Sequence, residues 1–272
     1  MPELPEVETI CRGITPLIVG LSIAGIIIRE PRLCVLIPAD LSASLHGRTV
    51  LAVSRRAKYL LIHCSGDCTL LIHLGMSGTL RFFAEPLSCE RHDHVEIIFD
   101  QGGRLRFRDP RRFGAILLSH GDPLAHPALA GLGPEPLSDE FTTDYLYRRS
   151  RQRTVAVKSF LMDQKTVVGV GNIYASEALH AAGIVPWRPC GTISRRRYAL
   201  LVKEVRAVLL HAIEAGGTTL RDFQSAAGKP GYFAQELMVY GRAGDQCRKC
   251  GGEIQNIRIG GRSSFYCSGC QS

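Results

Sequence analysis

SIAGIII at 22–28, YLLIHC at 59–64, TLLIHL at 69–74, HVEIIF at 94–99 and RLRFRD at 104–109 are short β-branched or alternating runs, set apart by Gly, Asp and Ser. Runs of six or seven residues between turn formers are too short for globular helices and carry strand chemistry. Residues from Leu21 to about Leu118 are therefore expected to form a mostly antiparallel sheet region, folded as a sandwich or flattened barrel. Ahead of it, Val7, Ile10, Cys11, Ile14, Leu17 and Ile18 recur at three- and four-residue spacing, so an opening helix with one apolar face is expected.

Behind the sheet region, HGDPLAHPALAGLGPEPLSD (120–139) concentrates Pro123, Pro127, Pro134 and Pro136 among glycines. Such punctuation between periodic segments marks a linker and places a domain boundary near 133. FTTDYLYRRS, VKSFLMDQK, NIYASEALHAAG and SRRRYALLVKEVRAVLLHAIEAGG then show helical spacing. The last has Ser194 as N-cap, a stripe through Leu201, Val202, Val205, Val208, Leu209 and Ile213, and Gly216 as its stop. Residues 221–240 have no clear period and read as a long loop, a kind of segment that is usually functional. The expected fold class is α+β, with an antiparallel sandwich domain at 1–133, a helical domain at 134–237 and a cysteine-rich terminus at 238–272.

The 272 residues carry 33 Lys and Arg against 25 Asp and Glu, a net charge of +8, which favours a polyanionic partner. With 45% hydrophobic and 21% charged residues, disordered and collagen-like classes are excluded. Apolar runs are far shorter than the roughly 20 residues that span a bilayer, so no membrane association is expected. Glu3, Glu6 and Glu8 stand where a secretory signal would carry basic residues, which points to the cytoplasm.

Of ten cysteines, Cys11, Cys34, Cys64, Cys68, Cys89 and Cys190 are scattered and read as ordinary small hydrophobes. Cys247, Cys250, Cys267 and Cys270 form two CxxC pairs separated by sixteen residues. Four thiolates at this spacing close a tetrahedron around one Zn²⁺ and leave no open catalytic position. Redox pairing is the competing reading. EIQNIRIGGRSSFY between the pairs reads as two strands around a Gly260–Gly261 turn, with Arg262 at the tip, where a solvated turn residue is the plain alternative.

Further motifs point toward nucleic acid. GVGNIYASE (169–177) sets glycines and Asn172 directly before a helix, an anion site for a phosphate or simply a turn. Arg148, Arg149, Arg151, Arg153 and Lys158 lie upstream, and such a run is ordinarily a solvated face. HLGMSGTLR and RDPRRFGA hold Met76 and Phe113 in glycine-flanked turns among Arg81, Arg108, Arg111 and Arg112. Apolar wedges on basic loops unstack bases, although a core Met and a core Phe are the common reading. RRAKYLLIH places Lys58 at a strand start, and HDH (92–94) fits a metal pair, a phosphate contact or core bonding equally. Methionine ahead of Pro2 is ordinarily removable. The freed secondary amine titrates not far from neutrality and could attack a sugar carbon to form a Schiff base. Glu3 beside it is an acid/base candidate or a first-turn carboxylate favoured by the helix dipole.

MPELPEVET (1–9), RRAKYLL (55–61), HLGMSG (73–78), RHDHV (91–95), DPRRFG (109–114), LGPEPL (132–137), VVGVGNIYASEAL (167–179), GGTTLRDF (216–223), GKPGYFAQEL (228–237), VYGR (239–242) and the CxxC pairs together closely resemble the bacterial formamidopyrimidine-DNA glycosylase family. The resemblance runs from residue 1 to 270. It implies a two-domain enzyme with a helix-two-turns-helix element and a zinc-bound β-hairpin. Such an enzyme excises oxidised purines (8-oxoguanine, formamidopyrimidines) from double-stranded damaged DNA and cuts the strand at the abasic site by β,δ-elimination. The resemblance also implies a monomer without an obligate protein partner. It makes Pro2 the nucleophile, Glu3 the acid/base partner, Lys58 the residue assisting β-elimination and Arg262 the one assisting δ-elimination. Met76, Arg111 and Phe113 match its void-filling trio; His92, Arg112, Arg153, Lys158 and Asn172 match phosphate-contacting positions; and Thr218 to Tyr232 match the segment closing over the everted base. Two departures are Arg91 where Lys is common and Ser159 where Pro is common.

The related endonuclease VIII group, which prefers oxidised pyrimidines, is the nearest alternative. Leu4 and the Met76/Arg111/Phe113 trio favour the purine branch. A non-catalytic DNA-binding module is the alternative from another class, and it would have no use for a processed Pro2.

Overall fold

The computed structural model describes residues 2–218 and 236–272. These form two compact units, the first of residues 2–130 with 215–218, the second of 131–214 with 236–272.

The first unit opens with helix α1 (Leu4–Ile18), whose buried face is Leu4, Val7, Ile10, Cys11, Ile14 and Ile18. Leu17, expected on that face, is 42% exposed, because it sits one residue off the stripe that meets the sheets. Strands β1 (Ile23–Ile28), β2 (Val50–Arg56), β3 (Tyr59–Cys64), β4 (Cys68–His73), β5 (Thr79–Phe83), β6 (Asp93–Phe99), β7 (Arg104–Arg108) and β8 (Ala115–His120) follow, with a short helix α2 (Leu41–Leu45) after β1. They pair antiparallel into two four-stranded sheets, in the orders β1-β6-β7-β5 and β2-β3-β4-β8. Both sheets feed one core. Ile23, Leu80, Val95, Ile97, Phe99, Leu105 and Phe107 come from the first sheet, and Val50, Leu60, Ile62, Leu70, Ile72 and Ile116 from the second. The expected sandwich is thus present, and α1 packs over β2, β3 and β5 to close one side.

The second unit holds α3 (Thr143–Ser150), α4 (Val157–Met162), α5 (Asn172–Ala181) and α6 (Arg195–Glu214), then a hairpin of β9 (Ile254–Ile259) and β10 (Arg262–Cys267). α6 begins as its sequence demands, with Ser194 Oγ accepting from Arg197 N at 3.4 Å. It ends at Gly216 and Gly217, both in the left-handed region at φ 76° and 83°. α5 is buried along almost its whole length and packs against α4, α6 and β10. The hairpin turn has φ 55° at Gly260 and 75° at Gly261, a two-residue connection that needs positive φ at both central positions. No helix among the described residues is long and apolar enough to cross a membrane.

Candidate functional site

In the first unit the candidate chemistry gathers at the start of α1 and at the loops leaving β2, β4 and β7. Pro2 and Glu3 are buried, and Glu3 is the N-cap of α1. Glu6 Oε2 accepts from Glu3 N at 2.8 Å, while Glu6 Oε1 accepts from Thr218 N at 2.8 Å. This single carboxylate therefore fixes the backbone at Glu3 and ties it to the chain beyond α6. Lys58 is 7% exposed and occupies a two-residue turn with Ala57, between the paired Arg56 and Tyr59. Ala57 takes φ 54°, a conformation an alanine adopts only when its surroundings hold it there. Arg55 supplies the hold, donating to Glu8 Oε2 at 2.9 Å and to the Ala57 carbonyl at 2.8 Å, so the Lys58 turn is clamped to α1. Burial raises the Glu8 carboxyl, yet bonds from Arg12 and Arg55 bring it below its ordinary value.

The two wedge loops touch each other. A Cβ on Gly75 would lie 2.3 Å from the Phe113 carbonyl carbon, and Gly75 also holds φ +64°, so only glycine lets the loops approach this closely. Asp109, fully buried, accepts from Ser77 Oγ at 2.7 Å, from Gly114 N at 2.7 Å and from Arg111 N at 3.3 Å. One carboxylate thus sets both loops. They leave Met76 38% and Phe113 51% exposed, with Arg111 exposed beside them. The common core reading of Met76 and Phe113 fails here. Full burial of such a side chain is worth about 1.5–3 kcal/mol, and two neighbouring ones left out mark a surface made to be covered.

His73 was not singled out by spacing, and it lies at this junction. Its Nδ1 accepts from Gly75 N at 3.1 Å, which puts the ring proton on Nε2. Burial, aided by the Lys58 ammonium and opposed by Asp109, brings its pKa down to about 4. His92 and Arg112 hold φ 76° and 57°, and backbone strain of this kind clusters at functional sites. Arg112 Nη1 donates to Glu30 Oε2 at 3.1 Å. His94 is buried and bonded to the Asp109 carbonyl at 2.8 Å, so the second histidine of HDH serves the core.

In the second unit the basic run at 148–158 is only partly a solvated face. Arg153 is exposed, whereas Arg151 stacks 4.1 Å over the Tyr147 ring and donates to Ser150 Oγ and the Cys190 and Ile193 carbonyls. Lys158 is 1% exposed, with Nζ donating to the Ser263 carbonyl at 2.9 Å and Ser264 Oγ at 2.8 Å. It joins α4 to the hairpin and, with Ser159, Met162, Asp163, Ile259, Gly260 and Arg262, lines a pocket of about 230 Å³. Arg262 is exposed at the hairpin tip, as expected. Asn172 is the first residue of α5; its Nδ2 donates to Tyr240 Oη at 3.4 Å, and its buried Oδ1 has no hydrogen-bond partner among the described residues. Glu177 on α5 accepts from Met238, Val239 and Tyr240 N at 2.8–3.0 Å, which fixes the chain leading to the hairpin and places the Tyr240 hydroxyl. Arg55, Glu6, Asp109, His73 and Glu177 escaped the sequence reading, since a lone polar residue in a strand, turn or helix carries no spacing signal.

The sulfurs of Cys247, Cys250, Cys267 and Cys270 lie within 4.8 Å of one another, with Cys247–Cys270 at 3.8 Å and Cys250–Cys267 at 3.4 Å. A tetrahedral site with Zn–S bonds of about 2.3 Å has edges of about 3.8 Å, so the donor set fits Zn²⁺. Burial raises the Cys247 thiol, but the Lys249 and Cys250 amides bring it down to about 7. Burial and the neighbouring sulfurs push Cys270 up to about 12. Thiols at such spacing ionise together only around a cation. The expected segment from Thr218 to Tyr232 lies, apart from Thr218, outside the described residues.

An antiparallel sandwich bearing glycine-locked apolar and cationic loops, with a helical unit ending in a Cys₄ hairpin, defines an α+β protein with one structural zinc site. Residues 1–116 match the formamidopyrimidine-DNA glycosylase N-terminal domain, 132–224 the formamidopyrimidine-DNA glycosylase H2TH domain, and 244–272 the zinc finger found in FPG and IleRS. The chain is 57% identical over 271 residues to the formamidopyrimidine-DNA glycosylase of Stutzerimonas stutzeri and 56% to that of Syntrophotalea carbinolica, covering 100% of each pair. It superimposes on the Fpg of Lactococcus lactis, solved in complex with an abasic site containing DNA, at TM-score 0.92 with 35% identity, covering 99% of both chains. For the MutM (FPG) protein of Thermus thermophilus the TM-score is 0.90 with 37% identity, covering 99% of this chain and 98% of that one. The chain belongs to the formamidopyrimidine-DNA glycosylase family.

Proposed function

We propose that this protein excises oxidised purines from duplex DNA and then cleaves the strand as an abasic-site lyase in base excision repair. The observation that carries the reading is the pair of exposed apolar side chains, Met76 and Phe113, locked beside Arg111 by Gly75 and Asp109. A base inside a duplex must be turned out before its sugar can be attacked; extrusion costs a few kcal/mol, and something must fill the gap left behind. Met76 and Arg111 fill the vacated space and Phe113 wedges the stack.

With Met1 removed, the Pro2 nitrogen is a secondary amine. It attacks the sugar carbon as the base departs and holds the sugar as an iminium, and Glu3 serves as acid and base in opening the ring. Lys58, in its clamped turn, assists the first elimination and Arg262 the second. His92, Arg112, Arg153, Lys158 and Asn172 contact phosphates, which supplies salt-sensitive affinity without sequence preference. For Arg112 this requires exchange of Glu30 for a phosphate, and for Lys158 it requires Nζ to turn from Ser263 and Ser264 toward the pocket it lines. Zinc acts on the hairpin's fold and takes no part in the reaction. The working form is a cytoplasmic monomer needing no protein partner, and the chain divides functionally at 133 and 237.

Incubation with duplex carrying 8-oxoguanine opposite cytosine, followed by borohydride, is expected to trap a covalent adduct on Pro2 and none on Pro2→Gly. An undiminished adduct with Pro2→Gly would sink the nucleophile assignment.

A further inference from the structure

α5 starts at Asn172 and its last turn carries His180, which is 3% exposed. His180 Nε2 lies 3.8 Å from Cys247 Sγ, and Cys247 is itself 3% exposed. Neither the family match nor the Cys₄ set accounts for this imidazole, which comes from a helix outside the matched zinc finger at 244–272. We propose that His180 is an outer-sphere partner of the zinc site, donating its Nε2–H to the Cys247 thiolate.

The charge distribution asks for such a donor. Four thiolates around Zn²⁺ carry a net charge of −2, and a buried anionic sulfur needs hydrogen bonds in place of water. Cys250 is exposed and Cys270 half-buried, so solvent reaches those two. Cys247 is shielded and accepts from Lys249 N at 3.4 Å. His180 supplies a second donor and draws charge from the sulfur without competing for the metal. A metal-bound thiolate can only accept, so the contact fixes the tautomer with the proton on Nε2. One helix then begins at the expected phosphate contact and ends on a zinc ligand. The hairpin is thereby oriented against α5 by the metal's own outer shell as well as by β10 packing. Outer-shell partners of this kind govern ligand orientation and metal retention.

The zinc-loaded full chain provides the test. Long-range ¹H–¹⁵N correlation of the wild type is expected to report the Nε2–H tautomer for His180. Zinc transfer to a chelator in excess is expected to run about 10–100-fold faster in His180→Phe, which keeps an apolar ring in the space and removes the donor. His180→Gln carries an amide N–H at a similar reach and should bring release back toward the wild-type rate. Zinc release by His180→Phe at the wild-type rate would overturn the proposal, as would equal acceleration in both variants, which would mean ring packing alone. Where His180→Phe does not fold, the wild-type tautomer decides, and an Nδ1–H imidazole overturns the proposal.

Discussion

At the scale of the residue, two side chains near the wedge loops, half-buried His73 and buried Asp109, carry separable tests. His73 is held neutral in the fold, with its pKa brought from 6.5 to about 4 chiefly by burial. Between those values the unfolded chain binds a proton that the folded chain refuses, so stability is full above about pH 6.5 and falls as the pH is lowered toward 4. The shift corresponds to about 3 kcal/mol across the window. His73→Phe is expected to be less stable to urea than wild type above about pH 6.5, because Gly75 N loses its acceptor, and to lack that part of the slope, so the difference closes as the pH falls toward 4. An unchanged slope would assign the acid sensitivity to other groups. Asp109→Ala removes the acceptors of both donors at 2.7 Å, Ser77 Oγ and Gly114 N. Each of them left unpaired costs about 1–3 kcal/mol. Faster hydrogen exchange at Gly114 and a lower unfolding midpoint are expected together, and wild-type exchange at Gly114 would remove Asp109 from its role as the tie between the loops.

At the scale of the element, Glu177 makes α5 the scaffold of the second unit. It is 4% exposed, and burial raises its pKa against the three amides that lower it. Glu177→Ala strands those amides, each at about 1–3 kcal/mol, while Glu177→Gln still offers one acceptor oxygen. The single tryptophan, Trp187, packs 4.7 Å from Tyr266 and reports on this unit alone. Denaturant unfolding followed by its fluorescence should show a loss of at least about 3 kcal/mol for the alanine variant and less for glutamine. Coincident curves for wild type and Glu177→Ala would disprove the scaffold role. The same element shows what was legible beforehand. Ser194, Gly216 and the 3.6-residue stripe of α6 announce themselves because caps and periodicity are local, as do alternating runs such as YLLIHC and the Gly260–Gly261 turn. Lys158 stands in a basic run whose plain alternative is a solvated face, yet it is buried, and its Ser263 and Ser264 acceptors lie more than a hundred residues away, where no local pattern can announce them. Asp109 in a DPRR turn and Glu6 in an acidic first turn likewise look ordinary until distant amides arrive at their oxygens. The five-residue α2 was not anticipated, being too short to show a period.

At the scale of the whole molecule, the sandwich and the zinc hairpin reach stability by different means. The sandwich shares a core of two sheets and a helix. Among the described residues the zinc hairpin's own cluster is Val239, Cys247, Ile254 and Cys267, with Phe265 and Cys270 against it, and half of those residues are metal ligands. So small an apolar set does not offset the conformational entropy of ordering the strands, and metal binding must supply the difference. Removing zinc with a chelator should therefore unfold locally. Hydrogen-exchange mass spectrometry is expected to show protection lost across Ile254–Cys267 while β3 and β4 of the sandwich stay protected. The net charge of +8 is unaltered by that treatment apart from the thiols, so any fall in DNA affinity would reflect lost geometry at Arg262 and Lys158 and not a lost attraction. The slope of affinity against salt tests this. A shallower slope after chelation means that phosphate contacts in the hairpin unit were released, as expected if Lys158 and Arg262 face DNA. Retained hairpin protection in the zinc-free protein would show that β9 and β10 fold on packing alone.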